Sequence, residues 1–175
     1  MFTFMPQGSH SWYLLYCKSN EETRAGLHLQ NQGIEFFHPQ RAVKKIRKGV
    51  RSVQLESLFP NYLFVKLDPS TANFNAIRST RGVAQFVRFG TEYATVCDAM
   101  VDSLRLALAP EEHSIDERSL PKEGDVVTIT QGIYQGLEAI YQTNDGLERS
   151  VLLIKMIEQQ AKLSLDNKDF SITNK

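Results

Sequence analysis

Residues 149–165, "RSVLLIKMIEQQAKLSL", read equally well at two periods, and the choice between them sets the architecture of the back of the chain. At helical spacing Leu153, Ile154, Ile157, Ala161 and Leu165 form one apolar stripe, in a segment rich in the helix formers Leu, Lys, Met, Glu, Gln and Ala. At strand spacing Val151 to Ile154 is a short buried run, and Ala161, Leu163 and Leu165 alternate with Lys162, Ser164 and Asp166. The preceding "GDVVTITQGIYQGLEAIYQTNDG" leans toward strands. Val127 and Ile129 alternate with Thr128 and Thr130, Gly132 and Gly136 punctuate, and Asn144-Asp145-Gly146 is a strong turn signal. Residues 124–170 therefore predict a small β-barrel of about five short strands, with 149–165 able to serve either state and 171–175 left as a tail.

Upstream, residues 110–123, "PEEHSIDERSLPKE", are polar and bounded by prolines, as a linker would be. Ahead of it, residues 11–109 predict an α+β sandwich. "SWYLLYC" (11–17) reads as a buried strand, and Ser19 with Glu22 forms a capping-box pattern opening a helix over about 20–32 that stops at Gly33. "IEFFHP" is a short strand halted by Pro39, and "PNYLFVKL" is an aromatic strand followed by a helix over Ser70 to Arg78. "TRGVAQFVRF" gives a turn at Gly82 and an alternating strand. Asp98 is placed to cap a helix that buries Val101, Leu104 and Leu108 and ends before Pro110. Residues 1–10 show no period and read as an appended or alternative-start extension.

The formal net charge is zero, yet it is unevenly spread. Through Gly90 there are twelve basic and five acidic residues; the remainder holds eight basic and fifteen acidic. A basic front half suits a polyanion, and an acidic back half would not compete for it. Within the front, "RAVKKIRKGVR" (41–51) carries six basic residues and no acidic one, with Lys48-Gly49 as a turn signal, and predicts a basic hairpin. Lys18, Arg24, His28 and Gln32 extend this. The last three recur every fourth residue on one helix face, which offers a cation together with donors able to read an exposed base. "STRG" (79–82) adds Thr80, Arg81 and a turn glycine suited to close backbone approach.

The sequence contains no nucleophile elbow, phosphate-cradling glycine loop or paired carboxylates among apolar residues, and is read as non-enzymatic. Its four histidines lie in no metal spacing and no cofactor is expected. Two cysteines, no long apolar span and no secretory pattern fit a cytoplasmic protein that makes no contact with membrane. Tyr16, Tyr62, Phe64, Val101 and Leu104 are either core or an exposed patch for a partner, and sequence alone leaves both open.

"WYLLYCK", "LFPNYLFV", "TRGV", "FVRFG" and the glycine-punctuated "GDVVTITQGIYQG" resemble the NusG family of transcription elongation factors, and the wording is closest to its specialised antiterminator branch. The resemblance runs from about Ser11 to Phe170. It implies a monomeric N-terminal domain that binds the β′ clamp helices and β gate loop of RNA polymerase and suppresses pausing and termination. It also implies recruitment by an ops-like hairpin in single-stranded non-template DNA. Matched by position, the DNA contacts are Lys18, Arg24, His28, Gln32, Lys48, Thr80 and Arg81. The clamp-binding surface includes Tyr16, Phe59, Tyr62, Phe64, Val101 and Leu104. Where this branch carries His-Thr-Thr at the gate loop, the chain reads Asn73-Phe74-Asn75, and Lys48 stands where arginine is familiar.

For this branch the resemblance further implies a C-terminal domain that switches folds. It is an α-helical hairpin covering the polymerase-binding cavity in the closed protein, and a KOW β-barrel that engages a small-ribosomal-subunit protein when released. Glu56 and Arg149 match the interdomain salt bridge, with Leu153 and Ile157 supplying apolar closure. Two other readings are a general NusG-like factor with a permanent β-barrel, and a KOW-type ribosome- or RNA-binding module.

Overall fold

The computed structural model describes residues 10–109 and 137–169. Strand β1 (Ser11–Cys17) organises the fold, because its alternation sends side chains into two separate cores. Trp12 and Leu14 point one way, and Tyr13, Leu15 and Cys17 the other. β1 lies inside an antiparallel sheet of order β2-β5-β1-β6, between β5 (Tyr62–Leu67) and β6 (Val83–Phe86), with β2 (Glu35–Phe37) at one edge and β9 (Thr95–Val96) also pairing with β1.

Two helices fill the second core. α1 (Glu22–Asn31) buries Ala25 and Leu29, and α2 (Phe74–Arg78) buries Ile77, both in the cluster of Tyr13, Leu15, Leu63 and Val65. The opposite face of the sheet receives α3 (Asp98–Leu108), α4 (Leu137–Gln142) and α5 (Gly146–Asp169). Outside both layers stand a two-stranded ribbon, β3 (Gln40–Arg47) with β4 (Val50–Ser57), and a minor hairpin, β7 (Arg88–Phe89) with β8 (Glu92–Tyr93). The ribbon closes with Arg47 opposite Val50, and both intervening residues have positive φ, Lys48 at 51° and Gly49 at 77°, as a type I′ turn requires.

Several local expectations give way to other partners, some distant and some nearby. Ser19 and Glu22 do not form a capping box: the α1 cap makes no side-chain hydrogen bond, and Glu22 is buried with its Oε1 accepting the Asn61 amide at 2.7 Å. Asn61 sits at φ 72° in the turn before β5, so Glu22 ties α1 to that turn. The helix expected from Ser70 begins at Phe74, because Asp68 captures the Ser70 amide (2.9 Å) and hydroxyl (2.6 Å) while Asn73 caps by accepting the Ala76 amide at 3.0 Å. Asp98 is the first residue of α3 rather than its cap, and its carboxylate lies 3.6 Å from Lys66 Nζ. The strand over 83–89 breaks at Val87, whose amide donates to Leu14.

At residues 149–165 the helical period is the one adopted. Leu153 and Ile157 have no exposure, Leu152, Ile154 and Met156 are half-buried, and Val151 and Leu163 face solvent. Asn144-Asp145-Gly146 makes the corner between α4 and α5. There Asp145 caps α5, its side chain accepting the Glu148 amide at 3.0 Å and its carbonyl the Arg149 amide at 3.1 Å. The strand reading of 124–146 fails at Leu137–Gln142, which form α4, where Leu137 and Ile140, three residues apart, share a buried helical face. The rest of that stretch up to 136 and the linker over 110–123 lie outside the described residues, as do 1–9 and 170–175.

Candidate functional site

The polar residues singled out by the sequence divide between two places. α1 and the 79–82 turn are held together at Gly82, whose φ is 93° and where a Cβ would lie 3.0 Å from the Glu21 carbonyl oxygen and 3.1 Å from Ala25 Cβ. The Lys18 amide donates to the Gly82 carbonyl at 2.9 Å. This close approach puts α1's polar face beside the turn. Gln32 Nε2 donates to Thr80 Oγ1 at 2.9 Å and to the His28 carbonyl at 3.0 Å, and Thr80 Oγ1 donates to the Ala76 carbonyl at 3.1 Å. Thr80 is buried, so its role is to fix Gln32 and shape the turn. Lys18, Arg24 and Arg81 are exposed and His28 half-exposed around it. Arg24 is partly neutralised by Glu21 at 3.1 Å, an exposed i,i+3 pair of small energetic weight. Lys48 is placed elsewhere, at the tip of the ribbon, with Lys44, Lys45, Arg47 and Arg51 exposed along it.

Asn73, Phe74 and Asn75 open α2. Phe74 turns inward, stacked on Tyr93 at 4.9 Å and 11° and edge-on to Tyr13, which leaves Asn73 and Asn75 at the surface.

The apolar set is gathered into one cluster on the other face of the sheet. Phe59, Phe64, Val101 and Leu104 are at most 2% exposed, and the side chains that cover them come partly from α4 (Leu137, Ile140) and α5 (Leu153, Ile157). Tyr16 and Tyr62 pack edge-to-face at 5.3 Å at its margin, both half-buried. Burial, with the Tyr16 phenol alongside, raises the Tyr62 phenol above the usual tyrosine range. Sequence reasoning did not find the covering contacts at the corner. Gly146 approaches Pro60 so closely that a Cβ would lie 2.8 Å from Pro60 Cγ, and Ser150 Oγ donates to the Pro60 carbonyl at 3.2 Å. The turn signal at 144–146 was visible; the approach to Pro60 leaves no trace in a single sequence.

Arg149 is 2% exposed, and the ion pairs among the described residues do not include one between it and Glu56. Arg149 Nε donates to the Leu58 carbonyl at 2.7 Å, and Nη1 to the carbonyls of Thr143 and Asn144 at 2.8 Å each. Three backbone acceptors satisfy the guanidinium where one carboxylate was expected, while burial, and secondarily Arg41, lowers its pKa. Glu56 pairs instead with Lys45 at 2.8 Å, and that bond holds its carboxyl below the usual range. Glu56 and Arg149 still line one groove of 630 Å³ with His38, Ser57 and Asp145, so they interact through space. In that groove His38 Nε2 lies 2.7 Å from Ser57 Oγ, and burial lowers the imidazole pKa. Cys17 is buried, which pushes its thiol up to about 12 and keeps it protonated at neutral pH.

Against known proteins, residues 10–105 match the family described as "Transcription termination factor nusG". "Transcription termination/antitermination protein NusG" of Streptomyces virginiae is 24% identical over 183 residues, covering 88% of this chain and 60% of the relative. The protein of that description from Rickettsia conorii is 23% identical over 157 residues, covering 81% of each. The chain thus spans about three fifths of the length of the Streptomyces relatives it matches. Among solved structures, "Domain interaction in Thermotoga maritima NusG" aligns with a TM-score of 0.40 and 26% identity, covering 68% of this chain and 69% of that one.

Proposed function

Because the chain belongs to the NusG family of transcription termination and antitermination factors, we propose that it is an antiterminator of the RfaH type, held closed by its own C-terminal helices and recruited by DNA. The observation that carries this reading is the cluster under α5. Phe59, Phe64, Val101 and Leu104, the surface expected to take the β′ clamp helices, are covered by Leu137, Ile140, Leu153 and Ile157. A partner helix and α5 would compete for one apolar site, so binding requires undocking. Once undocked, 124–170 forms the KOW barrel that engages the ribosome, a change that needs the two states to lie within a few kcal/mol. The helical state of 146–169 speaks against a permanent barrel.

Recruitment falls to the α1 and 79–82 surface. Lys18 and Arg24 meet phosphates of an exposed, ops-like non-template strand, and His28, Gln32 and Arg81 add base preference to such contacts, Gln32 being preset by Thr80. Lys48 reaches DNA from the ribbon tip, and Asn73 and Asn75 face the gate loop. The test is Arg81→Ala in a reconstituted elongation complex. Recruitment at a paused site carrying the element should weaken while affinity for bare polymerase holds; equal loss in both rejects the base- and phosphate-reading role.

A further inference from the structure

We propose that a second nucleotide-binding pocket, formed by Arg78, Gln85, Phe86, Arg88 and Tyr93, extends the DNA surface beyond the 79–82 turn. This rests on the nucleic-acid reading of that turn. The pocket is concave, 390 Å³ in volume, and none of its lining residues is acidic. Its floor is aromatic: Phe86 is buried and Tyr93 half-buried, their rings 5.0 Å apart. Its rim carries two exposed arginines and the exposed Gln85 amide. Among the described residues neither Arg78 nor Arg88 forms an ion pair, unlike Arg24 and Arg105.

Arg88 is preset for a ligand. Its guanidinium lies 4.3 Å from the Tyr93 ring centroid and donates to Tyr93 Oη at 2.8 Å, while Tyr93 itself stacks on Phe74. That chain of contacts holds a planar cation over a planar floor at little further cost in rotamer freedom. The two guanidiniums suit the phosphates on either side of one nucleotide, the outer face of the Arg88 guanidinium, itself stacked on Tyr93, suits its base, and the Gln85 amide suits a base edge. Arg78 stands three residues before Arg81, and β6 at the sheet edge carries Gln85, so one strand could run continuously from turn to pocket. α4 and α5 pack on the opposite core, so neither helix covers the pocket when docked.

The test uses the full chain and a fluorescent single-stranded DNA of about twelve nucleotides, with binding read by anisotropy over a range of salt. Arg78→Gln and Arg88→Gln are each expected to weaken binding about fivefold or more, and to reduce the slope of log affinity against log salt by about 0.7. Tyr93→Phe keeps the ring and removes the anchor of Arg88, and should fall between wild type and Arg88→Gln. If Arg81→Gln weakens binding and the pocket variants change neither affinity nor slope, the pocket is refuted and the turn stands. If wild type does not bind, the turn and the pocket fall together. Should the pocket variants weaken capture of purified RNA polymerase and not of DNA, the surface is a protein contact and the proposal is overturned.

Discussion

Leu153→Ala isolates the docking of α5. Leu153 is fully buried in a cluster with Phe59, Phe64, Val101 and Leu104, and truncation there removes apolar contact and leaves a cavity that α5 can only partly close. Comparable truncations cost about 2–5 kcal/mol. At 1.4 kcal/mol per tenfold change, the ratio of undocked to docked chain should rise from about thirtyfold to several thousandfold. Trp12, Leu14 and Met100 remain around the cavity on the N-terminal side, so the loss falls mainly on docking. Hydrogen exchange of the Leu152–Ile157 amides in the intact chain reads this ratio directly, provided these amides exchange through undocking. Val151→Ala is the control. It lies on the same helix at 51% exposure and should shift exchange by no more than about 0.5 kcal/mol. Equal effects of the two substitutions would refute the view that burial under α5 holds the chain closed.

Gly146→Ala should also undock α5, although alanine is the better helix former by about 1 kcal/mol. Its Cβ would collide with the rigid Pro60 ring, and overpacking of this kind costs about 1–3 kcal/mol, measured by the same exchange experiment. A double-mutant cycle between Glu56→Gln and Arg149→Met should give a coupling below about 1 kcal/mol, because each residue has another principal partner. Arg149→Met alone should open the corner by breaking a hydrogen bond worth about 1.5–3 kcal/mol to the Leu58 carbonyl. Burial lowers the pKa of His38, so the unfolded chain takes up its proton first. Stability contributed by neutral His38 is complete above the unfolded value of about 6.5 and is lost as pH falls from there toward the folded value. Thermal melts of wild type and His38→Gln should therefore diverge in pH dependence below about pH 6.5, with the wild type losing more.

What the sequence revealed, and what it hid, follows the range of the interactions. β1 and the ribbon were legible because a period of two and the Lys48-Gly49 turn are local facts. The placement of Arg24 and His28 on one helix was legible from helical spacing, whereas Gln32 falls just past α1 as its C-cap. Their junction with Thr80 was not visible as geometry, since the Gln32–Thr80 bond spans 48 residues. Local motifs misled where a distant partner outcompeted them. Glu22 looked like half of a capping box and instead serves the distant Asn61 amide. The Glu56–Arg149 pair, which the family resemblance implied, failed the opposite way, because Lys45 lies nearer in sequence, across the ribbon. Residues 149–165 were ambiguous because their apolar spacing satisfies both periods, and the helix is selected by what Leu153 and Ile157 pack against.

The central claim is that α5 and RNA polymerase use the same apolar surface. It is tested most directly by following the methyl groups of Leu153 and Ile157 in the intact chain by NMR, free and bound to RNA polymerase. The account predicts contacts to the Phe59 and Phe64 rings in the free chain and their loss on binding. Persistence of those contacts in the complex would contradict it.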